Sequence, residues 1–435
     1  MNTVKPQLAR TSEIIRYSFG GFASNILFYL QLAFLMYFYT DVFGVSPTTV
    51  GTLFLLVRVV DALADPFIGM LSDRTRTKYG KYRPYLIFGA PLLAAATLLM
   101  FTAPELNAQG KIIYAAFTYL AYSLISSLVN VPYHSLTAIM STDQMQTTTI
   151  STAKTFMGLP AQILVNASVL PMVAFFGDGQ RGWFVTVTIL SLLSIISYWI
   201  CASGAKRQDT IENTHGEGHQ HPSIKTQLSL IFKNKPLLIL MLSMFMNLVA
   251  TTTYAQVSVY FWEYNLGHKE LYSQISLWGL ILSIPIYLIT PYLSKKIGKR
   301  NIFLIGSIAS AIPTLILMIA PYDSVTTMFV ASVLKTILGT FAGAIVWAMI
   351  PDCVEYGKRM MGLEGAGTVT SSIVFVNKLG SAIGGVLAAF ALGAVGYVAG
   401  QIQSETVLDM IRYLYAGIPL VAYIATAIAL KFYKL

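Results

Sequence analysis

Three ionisable residues interrupt an otherwise apolar stretch, Arg58-Val59-Val60-Asp61-Ala62-Leu63-Ala64-Asp65-Pro66. On a helix, Asp61 and Asp65 fall one turn apart on one face, and Arg58 joins them at i−3. Two carboxylates with neighbouring oxygens can hold a hard monovalent cation, and a single carboxyl can carry a proton instead. The plainer reading is that Arg58 neutralises the acids and only holds helices together. One arginine does not balance two carboxylates, which favours cation coupling. A second group, Ser127, Asn130 and His134, stands at i, i+3 and i+7 beside Pro132. Hydroxyl, amide and imidazole suit a polyhydroxylated ligand or could complete a cation shell. Interhelical hydrogen bonding is the competing role for such residues.

The elements that position these groups are set by composition. Of 435 residues, 55% are hydrophobic and 11% charged, with a mean hydropathy of +0.64. Soluble domains carry about 25% charged residues, so the solvent for this surface is lipid. A bilayer core needs about 20 consecutive apolar residues per helix. Such runs lie near 17–40, 48–72, 84–103, 112–140, 154–176 and 183–203, then near 236–262, 272–293, 301–320, 325–350, 366–399 and 408–430. This predicts an all-α membrane protein of twelve spans. The runs are continuous rather than alternating, which excludes a membrane β-barrel. An ionised group at a helix centre costs about 2.5–3.5 kcal/mol on insertion scales, so Arg58, Asp61, Asp65, Lys154, Lys335 and Lys378 become candidates for function.

The net charge of +10 is a topology signal, not a sign of nucleic-acid binding. With both termini cytoplasmic, 21 basic residues fall in inner segments and four (Lys111, Arg181, Lys269, Arg412) in outer ones. Residues 1–16 are polar and basic without an isolated apolar core, so no cleaved signal peptide is expected. Cys201 and Cys353 imply no disulfide framework. A polar stretch, 204–235, separates an N-terminal six-helix half, 1–203, from a C-terminal half, 236–435. Its His215, His219 and His221 read as part of a solvated linker, since nothing holds them in metal geometry. Gly362, Gly365 and Gly367 lack the strand–helix setting of a nucleotide fingerprint, and Asn166-Ala167-Ser168 lies within a span. Leu71-Ser72-Asp73-Arg74 with Gly80-Lys81-Tyr82-Arg83 recurs as Leu293-Ser294-Lys295-Lys296 with Gly298-Lys299-Arg300. Two such halves as parallel repeats are the plan of the major facilitator superfamily.

At these residues the chain resembles the glycoside–pentoside–hexuronide:cation symporters of that superfamily. The resemblance rests on Arg58–Pro66 with Gly80-Lys81-Tyr82-Arg83-Pro84, and on Ser127-Leu128-Val129-Asn130-Val131-Pro132-Tyr133. It also rests on Trp347–Pro351 with Asp352, Glu355, Tyr356 and Gly357, and on Lys378-Leu379-Gly380 through Gly384-Gly385. It runs from about Tyr17 onward and looks nearer to glucuronide and xyloside carriers than to the melibiose permease. The resemblance implies cation binding by Asp61, Asp65 and Ser127, with Na⁺ as the metal if sodium couples. It implies sugar contacts at Asn25, Asn130, His134, Lys154, Trp347 and Lys378. Asn25 and Asn130 stand where the melibiose permease has aspartates, His134 where it has tryptophan, and Lys154 where arginine is usual. Glu364-Gly365-Ala366 replaces an Arg-x-Glu.

The expectation is a symporter importing a glycoside or sugar acid, a hexuronide or pentoside, with Na⁺ or H⁺ and no other cofactor. Asp73, Arg74, Lys81 and Arg83 would gate the inner side. The resemblance places the chain in a bacterial inner membrane as a monomer. A sodium-dependent lysophospholipid carrier of similar motifs is the rival. An enzyme is not supported, because no nucleophile–base pair or metal site is evident.

Overall fold

The computed structural model describes residues 8–141, 143–209, 224–361 and 366–433, so His215, His219, His221 and Glu364 lie outside the described residues. Among the described residues every regular element is helical, as lipid demands of a backbone that must satisfy its own polar groups. The helices are α1 (Thr11–Tyr37), α2 (Pro47–Arg74), α3 (Arg83–Met100), α4 (Ala108–Met140), α5 (Gln144–Phe156), α6 (Gly158–Phe175) and α7 (Gly179–Gly204). Then come α8 (Ile224–Lys233), α9 (Lys235–Tyr260), α10 (Leu271–Ile297), α11 (Lys299–Ile319), α12 (Val325–Val346), α13 (Ile350–Met361), α14 (Ala366–Ala394), α15 (Glu405–Arg412) and α16 (Ile418–Lys431).

Eleven helical stretches are long and apolar enough to cross a membrane. In three of them adjoining helices run together: α5 with α6, α12 with α13, and α15 with α16. The twelfth span is α2, 28 residues long. It is the least apolar because it carries Arg58, Asp61, Asp65, Asp73 and Arg74, the same residues that draw attention to it. Its start is fixed by Ser46, whose side chain accepts from Thr49 N, and by Pro47 in the first turn. The fifth span begins earlier than its apolar run, at Gln144, where Asp143 caps the helix by accepting from Gln146 N.

The chain divides into two units, Met1–Gly218 and His219–Leu435. In the first, α1 packs on α5, α6 and α7, while α4 packs on α2 and α3, and α3 on α7. In the second, α9 packs on α14 and α16, while α12 packs on α10 and α11, and α11 on α16. The packing schemes match position for position. Large apolar side chains such as Phe175, 83% exposed, point away from each unit's core, as lipid contact allows.

The repeat reaches fine detail. The first membrane span of each unit ends in a π-helical turn, Phe38–Val42 and Phe261–Asn265. The flanking sequences match as Tyr37-Phe38…Gly44 and Tyr260-Phe261…Gly267. Both glycines have positive φ, +75° and +69°, which admits the reversal that follows. Val45 N reaches Tyr39 O and His268 N reaches Trp262 O, each at 2.8 Å.

The segment after α7 is not a free linker at its start. Asp209, 2% exposed, accepts from the backbone N–H groups of Lys81 (3.0 Å), Tyr82 (2.9 Å) and Arg83 (2.8 Å). Those donors open α3, so a carboxylate sits where a helix N-terminus wants negative charge. Gly80 lies so close that a Cβ there would come within 2.3 Å of Asp209 O. Arg207 pairs with Glu13 at 2.9 Å, and Gln208 donates to the same carboxylate at 2.8 Å.

Candidate functional site

Asp61, 7% exposed, is buried where α2 meets α4. Ser123 and Ser127 lie one turn apart on α4, and both hydroxyls donate to Asp61 Oδ1 at 2.9 Å. Asp65 follows one turn along α2, half-buried. Arg58 and Asp61 are both electrostatic neighbours of Tyr119 and Tyr122 on α4. The Tyr119 hydroxyl accepts from Gln31 of α1 at 3.2 Å. Two carboxylates, two serine hydroxyls and two tyrosines thus lie along the contact of α2 with α4. This is an oxygen-rich set of the kind that suits a monovalent cation.

The stripe on α4 does not act as one surface. Ser127 faces α2, whereas Asn130 turns toward α7, its Oδ1 accepting from Tyr198 OH at 3.1 Å and its Nδ2 donating to Ser126 Oγ at 3.1 Å. His134 turns to α5, where Lys154 Nζ stands 3.0 Å from His134 Nδ1 and 3.2 Å from Thr137 Oγ1. The same ammonium lies 4.9 Å from the Tyr133 ring centre. Lysine can only donate, so Nδ1 is the lone-pair nitrogen and Nε2 carries the hydrogen. His134 is exposed and presents an N–H donor. Gly21 sets this geometry: a Cβ there would stand 2.1 Å from Lys154 O, so only glycine lets α1 approach α5. Asn25, one turn farther on α1, donates to Gly21 O at 2.7 Å and packs against Gly158.

In the second unit Trp347, 51% exposed, begins a short 3₁₀ turn (Trp347–Met349) that joins α12 to α13. Lys378 is exposed midway along α14. Lys299 is bound to Asp352 at 2.6 Å and to Ala348 O at 2.9 Å, tying α11 to the joint beside Trp347.

The second unit holds a neutral copy of the carboxylate contact. Aligned on Leu71-Ser72 and Leu293-Ser294, Asp61 corresponds to Ser283 and Asp65 to Tyr287. Counted from the helix caps Asn107 and Ser324, Ser123 corresponds to Thr340. Thr340 Oγ1 donates to Ser283 Oγ at 2.9 Å, the distance of Ser123 from Asp61. The same contact between second and fourth helices carries acid in one unit only.

Of the expected gate residues, Arg83 is bound within its own unit: Nε donates to Ala202 O and NH1 to Tyr79 O, both at 2.8 Å. Its repeat partner Arg300 does the same at the end of the last helix, donating to Leu430 O (2.7 Å) and Lys431 O (2.9 Å). Lys81 contributes its backbone N–H to Asp209 and its ammonium lies 4.7 Å from the Tyr82 ring centre. Arg74 is exposed in the last turn of α2, and Asp73 precedes it there. Ser123, Tyr198 and Asp209 escaped the sequence reading. Only Ser123 had a signal, its i−4 spacing from Ser127.

Two six-span helical units, one with buried carboxylates on its second helix, define a secondary membrane transporter of the major facilitator fold. The chain belongs to the family described as MFS/sugar transport protein, whose model matches residues 16–435. It is 35% identical to the isoprimeverose transporter of Lactiplantibacillus pentosus, over 97% of this chain and 88% of that one. It is 31% identical to a glucuronide carrier protein homolog of Escherichia coli, over 97% and 92%. Among solved structures, nucleoside transporter NupG (D323A mutant) aligns with a TM-score of 0.68 at 13% identity, over 96% of this chain and 99% of that one. A D-xylose-proton symporter aligns with 0.64 at 14%, over 95% and 96%. The chain is therefore an integral membrane, cation-coupled glycoside symporter, and not an enzyme.

Proposed function

We propose that the protein imports a hexuronide or pentoside together with Na⁺ or H⁺, and that the ion binds at Asp61 and Asp65. The observation that carries this reading is the pair of serine hydroxyls converging on Asp61 Oδ1, with Asp65 one turn away. Hydroxyls in that position can turn their oxygens toward a bound cation. They donate to the carboxylate when the cation leaves, so the acid is never left bare in an apolar bundle.

Asn25, Asn130, His134 and Lys154 offer the first unit's hydrogen-bonding groups for sugar hydroxyls, with the His134 Nε2–H as a defined donor. Trp347 and Lys378 offer an exposed aromatic face and an exposed ammonium from the second unit. The basic segments holding Asp73, Arg74, Lys81 and Arg83 act at the inner side, with both termini cytoplasmic and the protein working as a monomer. Arg83 then serves as a fastening of α3 to α7 rather than as a swinging gate.

The test is uptake into proteoliposomes of labelled isoprimeverose and of a glucuronide, each with and without a Na⁺ gradient and with and without a pH gradient. Accumulation of either sugar driven by either gradient supports the reading. Equilibration of both without accumulation under every gradient refutes the coupling.

A further inference from the structure

Lys335 stands at the middle of α12 and is 4% exposed. Its Nζ has no hydrogen-bond partner among the described residues. It lies 3.1 Å from the centre of the Tyr254 ring and 5.4 Å from that of Tyr415. Four acids of this unit are engaged elsewhere: Asp352 with Lys299, Glu263 with Lys269, Glu355 with Arg359, and Glu270 with His268. A ring face attracts an ammonium but accepts no full hydrogen bond, so three strong donors are left inside the bundle.

The groups around this ammonium are uncharged hydroxyls, each able to donate or accept. Tyr415 OH meets Ser332 Oγ at 2.9 Å and Tyr254 OH at 3.5 Å. Trp262 Nε1–H donates to the Tyr415 oxygen at 3.1 Å, and the Tyr415 hydrogen can pass to Ser332 Oγ or to Tyr254 OH. Besides Lys335, Tyr254 has Tyr272 of α10, Tyr415, and Tyr423 of α16 as electrostatic neighbours. Among the described residues no acid is paired with this ammonium. Two of its members, Trp262 and Tyr415, sit in π-helical turns, Phe261–Asn265 and Tyr413–Gly417. Such turns are frequent at functional sites because they re-aim side chains.

We propose that Lys335, with Tyr254, Tyr415 and Ser332, forms a binding site for an oxyanion carried by the transported solute, with the Tyr254 ring covering the ammonium until the anion arrives. The proposal rests on the glycoside symport reading above and narrows the solute to one bearing a carboxylate or similar oxyanion. The site belongs wholly to the second unit.

The experiment is thermal unfolding of the purified protein in nanodiscs at fixed ionic strength, with methyl glucuronide, methyl glucoside or acetate added. Stabilisation by the glucuronide well above that by the glucoside is expected. Lys335→Gln should weaken it roughly ten- to a hundredfold in apparent affinity, and Lys335→Arg should retain most of it. Equal stabilisation by glucuronide and glucoside overturns the proposal, as does no stabilisation by the glucuronide. Stabilisation by acetate matching the glucuronide overturns the solute-borne anion. If Lys335→Gln does not fold, Tyr415→Phe removes one donor and should weaken the glucuronide effect alone; an unchanged effect overturns the proposal. Gradient-driven uptake of neutral isoprimeverose would survive failure here, so the two readings fail separately.

Discussion

Lys154 donates across 3.0 Å to the Nδ1 of His134 and thereby fixes which ring nitrogen of the histidine carries its hydrogen. Lys154→Met removes that constraint and leaves both tautomers available. Sugar affinity should fall about tenfold, the worth of one hydrogen bond to a positioned donor. His134→Phe should give a similar loss, and the double variant should lose little more than either single one. Additive losses in binding measured by calorimetry would show that the two side chains act separately.

Asp65→Asn should abolish accumulation against a gradient while exchange of sugar across the membrane continues. Asp61→Asn should act in the same direction, less severely. Counterflow and uptake assays on the same vesicles separate the two activities. Accumulation surviving in both variants would make the carboxylates structural.

Ser123→Ala and Ser127→Ala each remove one hydroxyl from Asp61 Oδ1. Hydrogen bonds to a charged group are worth about 1.5–3 kcal/mol. That bond supports the ion-free carboxylate, so each variant should lower the proton concentration needed for half-maximal uptake about tenfold or more. The repeat partner Thr340→Ala should leave that concentration unchanged.

Ala64 puts no side-chain oxygen between the two acids, so a sodium ion there would gain no further ligand from α2 between Asp61 and Asp65. Uptake should depend weakly on Na⁺, with H⁺ able to substitute. Rates measured against pH at zero and at saturating Na⁺ give the answer, and strict Na⁺ dependence at every pH would contradict it.

Asp209→Ala leaves three backbone donors at the start of α3 without their acceptor. The expected cost is about 2–4 kcal/mol, at one to a few kcal/mol per unsatisfied group with partial relief from water. Thermal unfolding should show a clear loss of stability, and Asp209→Asn should lose less. The loop at Gly80–Arg83 should become the first site of proteolysis.

The twelve spans were legible because lipid imposes a length and a composition that few other solvents do. Asp61 and Asp65 were legible for the same reason, since charge inside such a run stands out. Ser127 came with the family's motif, but Ser123, one turn earlier, looked like any small polar residue in a membrane helix. Asp209 was invisible for a different reason. It satisfies donors of a loop more than 120 residues away, and no local spacing encodes a contact of that range. Lys335 could be flagged by its charge, yet its cage comes from two other helical segments, Tyr254 on α9 and Tyr415 in the Tyr413–Gly417 turn. The stripe of Ser127, Asn130 and His134 shows the converse: correct spacing, but three partners on three different helices.

The contact of Ser123 with Asp61 recurs as Thr340 with Ser283, and only the first copy carries acid. On the proposed reading the single acidic copy is one seat for an ion, and a cycle that fills it once would carry one positive charge inward with its solute. For a neutral sugar that cycle is electrogenic. A membrane potential of about 100 mV then adds roughly 2.3 kcal/mol to the pull. For a solute with one negative charge the same cycle moves no net charge, and voltage should cease to matter. Whether uptake current appears under voltage clamp would therefore report the charge of the cargo without its identity being known.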